Sequence, residues 1–111
     1  MKYLDTQEEL EALIGRGHHE GDLELPDLTI IWFSAEWCGP CKKIPIQQLM
    51  DEFPANWLKC DVDRNSYTPG YCNIRSIPTF LVIYKKQILG TKDGSNIIKL
   101  KEWFNTILSK I

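Results

Sequence analysis

The chain has 111 residues, enough for one compact core and too few for two ordinary domains, so a single domain over 1–111 is expected. Its 13 Lys plus Arg stand against 15 Asp plus Glu, a net charge of -2, with 43% apolar and 25% charged residues. That balance fits a soluble globular protein and argues against disorder; it offers no basic stripe for nucleic acid, and no apolar run nears the roughly 20 residues that span a bilayer.

Lys2 to Leu4 is compatible with a short edge strand. Thr6 followed by Glu9 fits a capping box, and Leu10, Leu13 and Ile14 recur at helical spacing, so a first helix covers Gln7 to Ile14 and stops near Gly15. Gly15 to Pro26 is polar, carries three glycines and the adjacent His18 and His19, and reads as a loop with neither histidine assigned a site. Ile30, Ile31, Trp32 and Phe33 within Leu28 to Ser34 make a central strand buried on both faces. Ile44, Leu49, Met50 and Phe53 then share one helical face, and Pro45, lacking an amide, is expected to bend that helix. Trp57 to Val62 is a second candidate strand, and Arg64 to Asn73 a short helix or turn. Thr79 to Tyr84 and Gln87 to Thr91 form a hairpin across Lys85 and Lys86, although these are not the favoured turn residues. Ile97, Leu100, Phe104, Ile107 and Leu108 stripe a closing helix. The order implies an α/β fold, a mixed sheet with helices on both faces.

Four cysteines are present. The amino-terminal segment is polar and shows no export signal, so a reducing, cytoplasmic compartment is expected, where cysteines are catalytic, metal-binding or simply buried. Cys38 and Cys41 form a CxxC pair. A zinc site would want a second close pair or nearby histidines, so no metal is assigned. Spacing alone still admits a redox dithiol, a metal-site fragment or inert thiols. Placement at the junction of an apolar strand and a helix favours the dithiol, because the helix start stabilises a thiolate at Cys38. Cys38 is then the nucleophile and Cys41, one turn inward, resolves the mixed disulfide. Gly39 permits close approach of a partner, Pro40 suits a first helical turn, and Trp37 supplies an apolar wall. Cys60 reads as a small buried hydrophobe. Cys72 reads as a packed thiol, with regulatory oxidation or dimer formation as the alternative.

The stretch from Phe33 to Lys42, with Trp37, Cys38, Gly39, Pro40 and Cys41 at its centre, resembles the active-site sequence of thioredoxins, and Ile77, Pro78, Thr79 matches that family's second signature. The resemblance runs from about Leu28 to Ile107. It implies a thioredoxin-like sheet, an exposed first cysteine, a buried second one, and a cis proline at Pro78. By itself Pro78 reads only as the start of the following strand; the resemblance reverses that preference. Ile77 is then expected to offer its backbone to an extended client segment, with Gly94 on the other side of the groove. The implied activity is reduction of protein disulfides. No bound cofactor is implied: electrons come from NADPH through a separate flavoprotein reductase, and no nucleotide-binding glycine fingerprint is present. Expected partners are disulfide-containing client proteins and that reductase, with the chain itself a monomer.

Two departures stand out. Where the family carries a buried aspartate ahead of the motif, this chain has Trp32, and an indole cannot accept the proton that a carboxylate with a raised pKa can. Lys59 matches the lysine that accompanies the aspartate, and is left to face solvent, approach the dithiol, or pair with Asp61 or Asp63. Resolution by Cys41 is therefore expected to be slower or to rely on water. The interval from Cys41 to Pro78 is also somewhat short for the family. The competing functional class is a thioredoxin-fold binding or assembly module in which the dithiol is dispensable; an oxidant or isomerase would need export.

Overall fold

In the computed structural model, residues 1–16 and 25–111 are described; His18 and His19 lie outside them. The elements run β1 (Lys2–Tyr3), α1 (Gln7–Leu13), β2 (Leu28–Ser34), α2 (Gly39–Lys42), α3 (Ile46–Glu52), β3 (Asn56–Asp61), α4 (Tyr67–Tyr71), β4 (Thr79–Tyr84), β5 (Gln87–Asp93) and α5 (Ile97–Leu108). Five strands make one sheet in the order β1-β3-β2-β4-β5. β1, β3 and β2 are mutually parallel, β4 pairs antiparallel with β2, and β5 pairs antiparallel with β4. The expected mixed sheet with helices on both faces is what forms.

Strand alternation divides the core into two. Ile30 and Trp32 of β2, Trp57 of β3 and Phe80 and Val82 of β4 meet Leu49 and Phe53 at the α3 side and Leu100, Phe104 and Ile107 of α5. On the other face Ile31, Phe33, Leu58, Cys60, Leu81 and Ile83 meet Leu4, Leu10 and Leu13. Phe104 is the hub of the first layer, with ring centroids 5.1 Å from Phe53, 5.8 Å from Trp57 and 5.5 Å from Phe80. Consecutive apolar residues in β2 are thus required by burial on both sides.

The helix ends follow their capping chemistry. Thr6 and Glu9 close the reciprocal capping box on α1, and Asn96 Oδ1 accepts from the Ile98 and Lys99 amides at 3.1 Å each. Pro45 breaks the helix after the dithiol instead of bending it. Its nitrogen cannot donate to the Cys41 carbonyl, which takes the Ile44 amide at 3.2 Å instead, and Pro45 itself leaves the helical region with ψ at 73°. The β4–β5 hairpin turns at Lys85 and Lys86 with φ of 48° and 68°, left-handed geometry that Asn and Gly adopt more cheaply.

Candidate active site

β2 ends at Ser34, and α2 begins at Gly39, so the intervening loop delivers Cys38 to the edge of the sheet as the N-cap of α2. Pro40 sits in the first turn, where its missing amide costs no helical bond. Cys38 and Cys41 are joined in a disulfide with their Cα atoms 5.3 Å apart. The Cys41 amide donates to Cys38 Sγ at 3.2 Å, and a donor aimed at this sulfur stabilises negative charge on it once the bond is reduced. Because Pro45 limits α2 to four residues, this local amide does more for Cys38 than the long helix dipole anticipated from the sequence.

The exposed first cysteine implied by the family resemblance is not found in the disulfide state. Cys38 is 3% exposed, because its sulfur turns inward onto Cys41, packs in the layer with Trp32, Ala35 and Ile44 and lies 3.9 Å from the Ile77 carbonyl oxygen. Ile77 leads into Pro78 through a cis peptide bond. The Gly94 amide donates to the Pro78 carbonyl at 3.0 Å. Gly94 has φ of 102°, with nothing within 4 Å of where a Cβ would stand; Gly39 is equally open. The structure therefore brings Ile77, Pro78 and Gly94 together and sets Ile77 against Cys38.

Trp37 is 67% exposed, with its Nε1 donating to Asp63 Oδ2 at 2.8 Å. Asp63 is in turn fixed by its own amide, which donates to Asp61 Oδ1 at 2.9 Å. The indole forms one wall of a cleft of about 350 Å³, shared with Val62, Pro69, Ile74, Arg75 and Ile77. Asp63 was missed as a site residue from sequence because no local motif links it to Trp37. Both aspartates are engaged here, and Lys59 pairs with neither: its Nζ lies over the Trp32 ring, 5.0 Å from the centroid, and 5.6 Å from that of Tyr3. Trp32 also stacks on Phe80, 6.4 Å away with planes 7° apart.

The remaining thiols are poorly suited to exchange. Burial, then the nearby Cys72, Asp61 and Asp5, pushes the Cys60 thiol up to about 12, and burial pushes Cys72 up to about 11. Cys60 donates toward the Asn65 carbonyl at 3.8 Å, and Cys72 caps the end of α4.

A dithiol at a strand–helix junction, one sulfur facing an open backbone edge, on a five-stranded mixed sheet, defines a thiol-disulfide oxidoreductase. The family model for thioredoxin matches residues 17–106, and the chain belongs to the thioredoxin family. It is 40% identical over 76 residues to the thioredoxin of Haemophilus influenzae, covering 65% of this chain and 69% of that one. Human thioredoxin is 36% identical over 84 residues, covering 73% and 80%. Among solved structures, Fasciola hepatica thioredoxin superposes with a TM-score of 0.78 at 30% identity, covering 96% of this chain and 98% of that one. Oxidised mitochondrial thioredoxin 3 of Saccharomyces cerevisiae gives 0.80 at 28% identity, covering 96% and 94%.

Proposed function

We propose that this thioredoxin runs in the reducing direction on protein disulfides, with Cys38 as nucleophile and Cys41 as resolving thiol. The observation that carries the reading is the Cys38 sulfur lying 3.9 Å from the Ile77 carbonyl oxygen, with Ile77 and Trp37 lining one cleft. An extended client segment lying against Ile77 and Pro78 presents its disulfide to Cys38, with Trp37, Gly39 and Pro40 on one side and Gly94 on the other. The Cys38 thiolate attacks one client sulfur and the other leaves as a thiolate; Cys41 then attacks Cys38 Sγ, the client sulfur bonded to Cys38 leaves as the second thiolate, and the intramolecular disulfide closes.

A separate flavoprotein reductase, spending NADPH, restores the dithiol, and the protein acts as a monomer in the cytoplasm. Gly39 and Pro40 between the cysteines support the reducing direction by resemblance to reducing members of the family. Equilibration of the Cys38–Cys41 couple with a glutathione or dithiol buffer tests it. A potential near the roughly -270 mV of a general reductant is expected, and a value above about -200 mV overturns the proposal in favour of an oxidant or isomerase.

A further inference from the structure

A second groove, of about 420 Å³, has walls that include Trp32, Ser34, Glu36, Cys41, Lys42 and Lys59 and shares no lining residue with the Trp37 cleft. It gives the resolving cysteine its own contact with water, although Cys41 is buried. The parallel register sets Lys59 of β3 beside Trp32 of β2, and the antiparallel register sets Phe80 of β4 on the other side. Phe80 stacks on the indole and the half-buried Lys59 holds its ammonium over the ring, a cation–π contact that steers a long flexible side chain. The indole cannot serve as a proton acceptor: its Nε1 is a donor, and here it is buried without a hydrogen-bond partner.

From this arrangement we infer that Lys59, parked on the Trp32 ring at the groove that Cys41 lines, is the positioning residue that makes Cys41 reactive. The inference rests on dithiol exchange through Cys38 and Cys41. In the mixed disulfide Cys41 gives its proton to groove water, its thiolate attacks Cys38 Sγ, the Cys38–client bond breaks, and the client thiolate departs. The ammonium lowers the electrostatic cost of that thiolate, where a carboxylate in place of Trp32 would instead take the proton. The charged groups that line the groove with Cys41 are Lys59 from β3, Lys42 from α2 and Glu36 from the preceding loop; Trp32, Ser34 and Phe80 contribute no titrating group. Lys42 and Glu36 are exposed and Lys59 is half-buried, so solvent screens Lys59 least.

The test is stopped-flow reaction of the reduced protein with dithionitrobenzoate across a pH series. The first aryl thiolate is released by Cys38, with a rate set by reagent concentration. The second is released by Cys41 in a first-order phase independent of it. In Lys59→Gln the midpoint of the second phase moves up by about half a unit to one unit, a loss of about three- to tenfold below the midpoint, while the first phase keeps its rate. Lys59→Arg retains the wild-type profile. Raising salt moves the wild-type midpoint upward and leaves that of Lys59→Gln in place, which serves as a readout even where the variant is less stable. Superposable profiles for wild type and Lys59→Gln overturn the inference, as does a larger shift in Lys42→Gln, or a lowered plateau in Glu36→Gln, which would make that carboxylate the proton acceptor. Absence of the first phase would instead count against the assignment of Cys38 as nucleophile.

Discussion

Replacing Trp37 by Ala separates client docking from stability. An aromatic side chain of this kind buries about 150–250 Å² when fully covered, and with 67% of the residue exposed roughly 100–170 Å² is available to a client. At about 25 cal/mol per Å² this sets a ceiling of about 2.5–4 kcal/mol. A client covers only part of the ring and loses side-chain freedom on docking, so about 1–2 kcal/mol is the expected contribution, or about 5–30-fold in kcat/KM. The fold should barely notice, because the indole makes its one polar contact, with Asp63, at the surface. Trp37→Phe restores most of the docking surface while still lacking the donor. The assay is steady-state reduction of a protein disulfide such as insulin, compared with dithionitrobenzoate, which is too small to span the cleft. Trp37→Ala should lose kcat/KM on the protein substrate much more than on the reagent, with an unchanged urea midpoint. Equal losses on both substrates, or a large fall in stability, would refute the docking role.

Phe104→Ala removes the aromatic hub between α5 and the sheet, and its neighbours are too well packed to collapse into the space. A loss of about 3–5 kcal/mol by urea unfolding is expected, from a total near 5–15 kcal/mol, with the rate of aryl thiolate release by the folded fraction unchanged. The buried thiols set an alkaline limit. Cys60 rises from an ordinary 9.0 to about 12 and Cys72 from 9.0 to about 11, so above about pH 9 the unfolded chain loses protons that the folded one keeps. Their contribution is fully present below pH 9 and is lost as pH rises toward those values. Stability measured at pH 8 to 11 should therefore fall less steeply in Cys60→Val than in the wild type; parallel curves would contradict the raised value.

Much of this was legible because local chemistry and tertiary demand agree. Four bulky apolar residues in a row in β2 admit only a strand covered on both faces, and the capping box of Thr6 and Glu9 fixes where α1 begins. The dithiol was readable for the same reason: Pro40 is tolerated only in a first turn. Register was not readable. That Lys59 lies beside Trp32 rather than Asp61 or Asp63 depends on how β3 slides along β2, and a shift by one residue would send it to the opposite face. The place of β1 at the far edge, next to β3, rests on the same long-range pairing. At Pro45 the missing amide was evident, but bend and break differ only in whether Pro45 keeps a helical ψ, and the following turn of α3 settles that by packing Leu49 and Phe53 into the core. The link from Trp37 to Asp63 spans two loops that no periodicity connects.

Trp32 serves both the core and the chemistry with one side chain. Its ring belongs to the layer built around Phe80 and Phe104, so removing it disturbs packing at the centre of the sheet before it says anything about proton transfer. A charged residue in its place would have to be paid for by pairing with Lys59, and that pairing would withdraw the ammonium from Cys41. A carboxylate and an aromatic ring at this position are therefore alternative ways to manage the same lysine. The carboxylate accepts the proton of the resolving cysteine and neutralises the cation; the ring holds the cation without neutralising it and leaves the proton to water. The second arrangement makes resolution depend on salt and on solvent access to the groove, and an internal base would show neither dependence to the same degree. Lys59 can be exchanged while both aromatic layers stay intact, so its substitution separates the chemistry from the packing where substitution of Trp32 cannot.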